Sequence, residues 1–153
     1  MKKLIIALVA FCISSGLLLA QKNTSDNSLE NVRKTVNEKQ PEHLLDGTSM
    51  NYYYQNGTGI HFEFYNGMIK YEWIAGPRKG HGNKDLKYAS RKVGDKMYLM
   101  SWLEEAHPDY VTLLFNFNNN VVYSSAILRF GTKDQFTLFD GGIIENLKLV
   151  EKQ

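Results

Sequence analysis

Tyr52, Tyr54, His81 and Glu104 are the residues whose types and spacing best suit chemistry in this chain. Tyr52-Tyr53-Tyr54-Gln55-Asn56-Gly57 reads as an alternating strand that runs into a tight turn, so Tyr52 and Tyr54 point the same way. Two phenols on one face, at the start of a run of hairpins, form one wall of a barrel pocket. Glu104 closes the run Ser101-Trp102-Leu103-Glu104. Set in an aromatic pocket, it is a candidate general base, with His81 as its proton partner. Each residue also has a purely structural account. The tyrosines can be core rings with satisfied hydroxyls, and His81 can cap a Gly-rich turn. Glu104, beside Glu105, can be a solvated loop carboxylate, and Trp102 can simply pack.

These residues need elements to position them, and from Leu44 onward the chain reads as strands and tight turns. The pattern predicts strands over about 48–54, 59–65, 68–75, 86–93, 96–102, 110–116, 121–129, 135–139 and 143–150. Turn signals separate them at Asn56-Gly57, Asn66-Gly67, Gly94-Asp95, Asn118-Asn119-Asn120 and Asp140-Gly141-Gly142. Connections this short force antiparallel neighbours. Eight or nine such strands close most economically as one up-and-down, lipocalin-like β-barrel, which also removes exposed sheet edges. Ile60, Phe62 and Phe64 alternate with His61, Glu63 and Tyr65, so the even set is expected inside. A barrel of this size fills with side chains or holds one small ligand. The Gly76–Gly82 and Leu103–Asp109 segments are candidate rims of that space.

The barrel domain is expected to span residues 44–153. Before it, residues 1–20 read as a secretory signal peptide: Lys2 and Lys3, an apolar run from Leu4 to Ile13, a Ser14-Ser15-Gly16 break, and Ala20 ahead of the cleavage point. Phe11 precedes Cys12, where a lipoprotein signal requires a small residue, so no acylation is expected. Residues 21–43 form a polar arm or short helix, with Leu29, Val32 and Val36 at helical spacing and Pro41 to end it. Cys12 is the only cysteine, so the mature chain makes no disulfide. An exported protein of that kind suits a bacterial periplasm or the cell exterior. Cleavage also removes Lys2 and Lys3 and no acid, leaving sixteen basic against sixteen acidic residues. A neutral mature chain is not expected to bind nucleic acid or an anionic membrane, and no stable membrane anchor remains after cleavage.

Leu45-Asp46-Gly47, then Tyr52-Tyr53-Tyr54-Gln55-Asn56-Gly57, then a Gly-rich loop, then Tyr98-Leu99-Met100-Ser101-Trp102-Leu103-Glu104 together resemble the MoaF-like branch of lipocalin-type (calycin) barrels. The same pattern is similar to that of bacterial phenolic acid decarboxylases. In those enzymes, the resemblance implies, two tyrosines and an arginine hold the substrate carboxylate. A glutamate handles the phenolic proton, so that carbon dioxide leaves without a cofactor. Carried over, the tyrosines fall on Tyr52 and Tyr54 and the glutamate on Glu104. The arginine position, after the second glycine of the loop, is His81, and a further tyrosine position falls at Ile60. Arg offers carboxylate a planar, permanently charged fork that His does not. Arg78, three residues earlier, can reach in only if the loop is displaced.

Other chemistries find little purchase. His43, His61, His81 and His107 lack metal-motif spacing, and a His81–Glu104–His61 cluster depends wholly on the fold, so no metal is expected. Gly76-Pro77-Arg78-Lys79-Gly80 lacks the Gly-Lys-Ser/Thr ending of a phosphate loop. No serine has a nucleophile-elbow context. The reading that follows is an exported MoaF-like barrel that binds a small, partly apolar, aromatic ligand without a cofactor, held by Tyr52, Tyr54, Phe62, Trp73, His81, Trp102 and Glu104. A second reading is a non-oxidative decarboxylase-like lyase using Glu104, His81, Tyr52 and Tyr54. A third is a filled barrel that acts as an interaction module, including as a homodimer, through its outer surface.

Overall fold

The computed structural model describes residues 43–151, so the expected signal peptide and nearly all of the arm lie outside the described residues. Eight antiparallel strands form a closed barrel in simple chain order: β1 (Ser49–Tyr54), β2 (Gly59–Tyr65), β3 (Met68–Ala75), β4 (Gly82–Gly94), β5 (Met97–Glu104), β6 (Asp109–Asn116), β7 (Val121–Leu128) and β8 (Phe136–Lys148). Alternation decides which side chains face in. Ile60, Phe62 and Phe64 are buried, as expected, and so are Tyr98, Met100 and Trp102 on β5. Asn66 and Gly67 both have positive φ, the backbone that a two-residue hairpin turn requires.

The sequence pattern placed nine strands where the structure has eight. Asp140-Gly141-Gly142 is no turn; it lies inside one long β8 that pairs with β7 and with β1. Gly142 serves close approach instead. A Cβ on Gly142 would stand 2.8 Å from the Tyr53 carbonyl oxygen on the neighbouring β1. The β1–β8 pairing is what closes the barrel, so this contact lies at the seam. β4 likewise begins at Gly82 rather than near residue 86, with Asp85 at positive φ and a register shift against β3 between Ile69 and Tyr71.

The interior is divided along its length. At one end, where the connections 66–67, 95–96 and 117–120 lie, Phe64, Phe115, Tyr88, Ile69 and Tyr98 fill the barrel. Leu45, completely buried, joins this plug from the segment ahead of β1. Asp46 fixes that segment by accepting hydrogen bonds from the Tyr88 hydroxyl (2.8 Å) and the Gly67 amide. At the other end lie the connections 55–58, 76–81, 105–108 and 129–135, and there the barrel is hollow.

The seam makes a test. Gly142→Ala forces a methyl against a backbone carbonyl that cannot move aside, and a loss of about 1–3 kcal/mol is expected, the usual range for overpacking. Urea denaturation measures it. An unchanged midpoint would mean that the β1–β8 closure does not depend on this glycine.

Candidate functional site

The hollow end encloses a cavity of about 280 Å³ lined by side chains from β1, β2, β3, β5, β6, β7 and β8 and by Arg78. A cavity of roughly 150 Å³ already accepts benzene, so this one has room for a single ring with a short substituent. Tyr52, Tyr54, Phe62, Trp73, Trp102 and Glu104 all line it, so the barrel brings six of the seven expected binding residues to one space. The seventh, His81, does not line it. His81 is exposed, with Nδ1 against the Arg78 carbonyl oxygen at 3.0 Å, and it lines a wider outer vestibule of about 590 Å³. Inner cavity and vestibule share Tyr71, Trp73, Arg78, Glu104 and Asp109. The loop histidine expected to partner Glu104 therefore stands outside the mouth.

Glu104 is the chemical centre of the cavity. It ends β5 in the same phase as Tyr98, Met100 and Trp102, so the alternation that buries those residues turns its carboxyl inward, and it is only 5% exposed. Glu105, one position on, is exposed. Three donors meet the buried group: the Tyr71 hydroxyl to Oε1 at 2.7 Å, the Trp102 indole N–H to Oε1 at 3.3 Å, and the Asn83 amide to Oε2 at 3.2 Å. A carboxylate has about four acceptor positions. Two donors occupy Oε1 and one occupies Oε2, which leaves Oε2 one position for a donor brought by a ligand.

The tyrosines present protons. Burial raises the pKa of Tyr52 well above the ordinary phenol value, and the neighbouring Tyr54 adds to it. Burial also raises Tyr54, partly offset by its hydrogen bonding to Ser124 and Tyr52. Tyr71 is raised by burial and then by its bond to Glu104. The Tyr52 and Tyr54 rings meet edge to face, 5.4 Å apart. All three remain neutral O–H groups near pH 7, in a wall whose other polar members are Glu104, Arg78, Asp109 and Ser124.

Arg78, rather than His81, brings a positive charge to the cavity. Its guanidinium lies over the Trp73 ring at 5.6 Å and lines both the cavity and the vestibule. Among the described residues it has no carboxylate within ion-pair distance. The loop reaches this geometry through a tight fold in which the Gly80 amide bonds to the Trp73 carbonyl oxygen (2.8 Å) and Gly76 and Gly80 have positive φ. Asp109 lines the mouth opposite, and its carboxylate accepts from the Arg129 amide at 2.7 Å. Among the described residues no group of histidines and carboxylates could hold a metal ion. His61 instead lies on the outer face, bonded to Asn51 and Glu63.

Tyr71, Asn83 and Ser124 are functional candidates that the sequence pattern did not single out for this site, and Arg78 enters the sequence reading only as a displaced substitute for the family arginine. The phase of β3, shared with Trp73, carries the signal for Tyr71. Nothing in the sequence places Asn83, because its strand begins through an irregular register.

A family model described as MoaF-like matches residues 46–143. The chain belongs to the MoaF-like family. Among solved structures, this MoaF-like barrel is similar to a Burkholderia vietnamiensis protein described as a "putative beta-lactamase". The TM-score is 0.57 and the identity 16%, over 74% of this chain and 100% of that one. At that identity the likeness is one of fold. No curated protein matches the MoaF-like chain.

Two outcomes follow from the site's hydrogen bonds. Tyr71→Phe removes a donor from a buried acceptor, and a stability loss of about 1–3 kcal/mol is expected in thermal or urea unfolding at pH 7; no change would mean that water replaces the phenol. The second concerns alkaline pH. Below about pH 10 both folded and unfolded chains keep the protons of Tyr52 and Tyr54. Above it the unfolded chain releases them and the folded chain does not. Stability should therefore fall as pH rises past 10, by up to about 1.4 kcal/mol per pH unit for each tyrosine. Urea midpoints at pH 9, 10 and 11 should show a shallower decline for Tyr52→Phe than for the unaltered chain.

Proposed function

We propose that this MoaF-like protein is exported and binds a small, partly apolar, aromatic molecule in the hollow end of its barrel. The observation that carries this reading is a buried carboxyl, Glu104, held by three donors in a cavity otherwise lined mainly by aromatic and aliphatic side chains. Burying such a group costs several kcal/mol unless it is fully satisfied. A core evolved only for packing would place a hydrocarbon there. Glu104 Oε2 retains one acceptor position, which suits a hydroxyl or N–H on the ligand. The rings of Tyr52, Phe62, Trp73 and Trp102 suit its aromatic body. Arg78, over Trp73 at the mouth, suits an acidic substituent.

Trp73 and Trp102 line the cavity and so report on its occupancy. Tryptophan quenching against a panel of single-ring phenols and phenolic acids is expected to saturate for at least one of them. Glu104→Gln should weaken that binding at least tenfold, and Glu105→Gln should leave it unchanged. A flat response across the panel would sink the reading.

One observation favours a catalytic version. Arg78, Tyr52, Tyr54 and Glu104 line the same cavity, the residue types that the resemblance to phenolic acid decarboxylases requires. In that chemistry Glu104 takes the phenolic proton and a proton adds at the carbon bearing the carboxylate. With that carbon's proton drawn from solvent, the pair of the broken carbon–carbon bond becomes the vinyl double bond as carbon dioxide leaves. The displaced exocyclic pair restores the aromatic ring as phenolate, and Glu104 returns the phenolic proton. Hydroxycinnamic acids incubated with the purified protein should lose their acid absorbance, and Glu104→Gln should abolish the loss. Unchanged absorbance retires the lyase and leaves the binding reading standing.

A further inference from the structure

The outside of the barrel has two unlike halves. The outer faces of β2 and β3 carry Glu63, Lys70 and Glu72, with Lys87 following on β4. The outward positions of β5, β6 and β7, and those of β8 as far as Ile143, include no charged residue. On β6–β8 that face is built from large apolar groups: Tyr110, Tyr123, Ile127, Phe139 and Ile143 are all exposed, and Phe139 is 87% exposed. Leaving such side chains in water is unfavourable, and a patch of this kind on a monomer marks a contact surface.

The register gives the patch a shape. One row across the strands runs Thr112 (β6), Ser125 (β7), Phe139 (β8). A second row, on one side, begins Tyr110, Ile127; a third, on the other side, begins Leu114, Tyr123. The middle row is thus a shallow groove floored by two small hydroxyl residues, with one large ring standing at its end. We propose that this face pairs with the same face of a second copy about a two-fold axis at Ser125.

Such an axis maps the face onto itself. Running along β7 in the plane of contact, it lays the two β7 strands face to face and parallel, so that Tyr123 and Ile127 of each copy meet their counterparts in the other. It also carries Phe139 of each copy onto Thr112 of the other, where Tyr110 and Leu114 flank the small residue. Knob meets notch twice, as an isologous contact requires. The absence of charge favours this occupant, because a face that must meet itself cannot carry an uncompensated sign. The area is sufficient as well. At about 200 Å² for a fully exposed large side chain, the five exposed residues present roughly 550 Å² per copy. The pair then buries on the order of 1,100 Å², above the roughly 1,000 Å² that a specific interface needs.

Sedimentation velocity of the purified full chain from about 1 to 100 µM tests this. A dimer is expected within that range. Phe139→Ala should raise its dissociation constant at least tenfold. Ser125→Arg, which places two guanidinium groups face to face, should leave a monomer with an unchanged circular dichroism melt. Lys87→Glu, on the charged half, should change nothing. Independently, Ser125→Cys in a Cys12→Ser background should form a disulfide-linked dimer on mild oxidation, and Glu72→Cys should not. A monomer at 100 µM, a dimer indifferent to both Phe139→Ala and Ser125→Arg, or a monomer that sediments with neutral lipid vesicles through Phe139 would each overturn the proposal.

Discussion

Everything in this molecule depends on the ladder between the first strand and the last. Until β8 pairs with β1 the sheet has two open edges, and inside and outside have no meaning. Once it does, alternation alone sorts side chains into a lining and a coat. The seam is tight because β8 passes a glycine over the Tyr53 carbonyl, a place where even a methyl group would intrude. Tyr52 and Tyr54 belong to β1 itself, while Ser124 faces them from β7, one strand beyond the seam. The polar end of the cavity wall is therefore assembled by closure and does not exist before it.

Within the closed barrel, the filled end and the hollow end do different work. Phe64, Phe115 and Leu45 of the plug are among the most completely buried apolar side chains, with Tyr88 packed beside them. Rigid support from that end is what lets an expensive arrangement persist at the other. Glu104 would be destabilising on its own, and it is tolerated because Tyr71, Trp102 and Asn83 reach it from three different strands. Each of those donors is in turn set by the register of its strand, so the geometry around the carboxyl follows from the barrel rather than from a flexible loop.

Much of this was legible from residue order. Period-two alternation in β2 identified the inward set correctly, and the Asn-Gly pairs marked two hairpins. Glu104 is, from residue order, a rim candidate beyond an expected strand end at residue 102, and the structure extends β5 to it in the phase of Trp102. The failures have physical causes. Gly142, following Asp140-Gly141, looks like part of a turn because a turn and a close strand approach both favour the absence of a side chain, and only the partner strand distinguishes them. His81 reaches the outer vestibule, which Glu104 also lines, while the Gly76–Gly80 fold leaves Arg78 lining the inner cavity as well. Asn83 was invisible because the bulge near Asp85 breaks the alternation that would have revealed it. Residues 1–42, which carry the export reading, lie outside the described structure.

The lengthwise split of the interior has a consequence for how such a barrel can change. On the proposed binding reading, substitutions at the rim or in the upper lining reshape the hollow end and leave the stopper beneath in place. On that reading a lineage built this way can exchange one guest for another by small steps, while most of the core stays as it is.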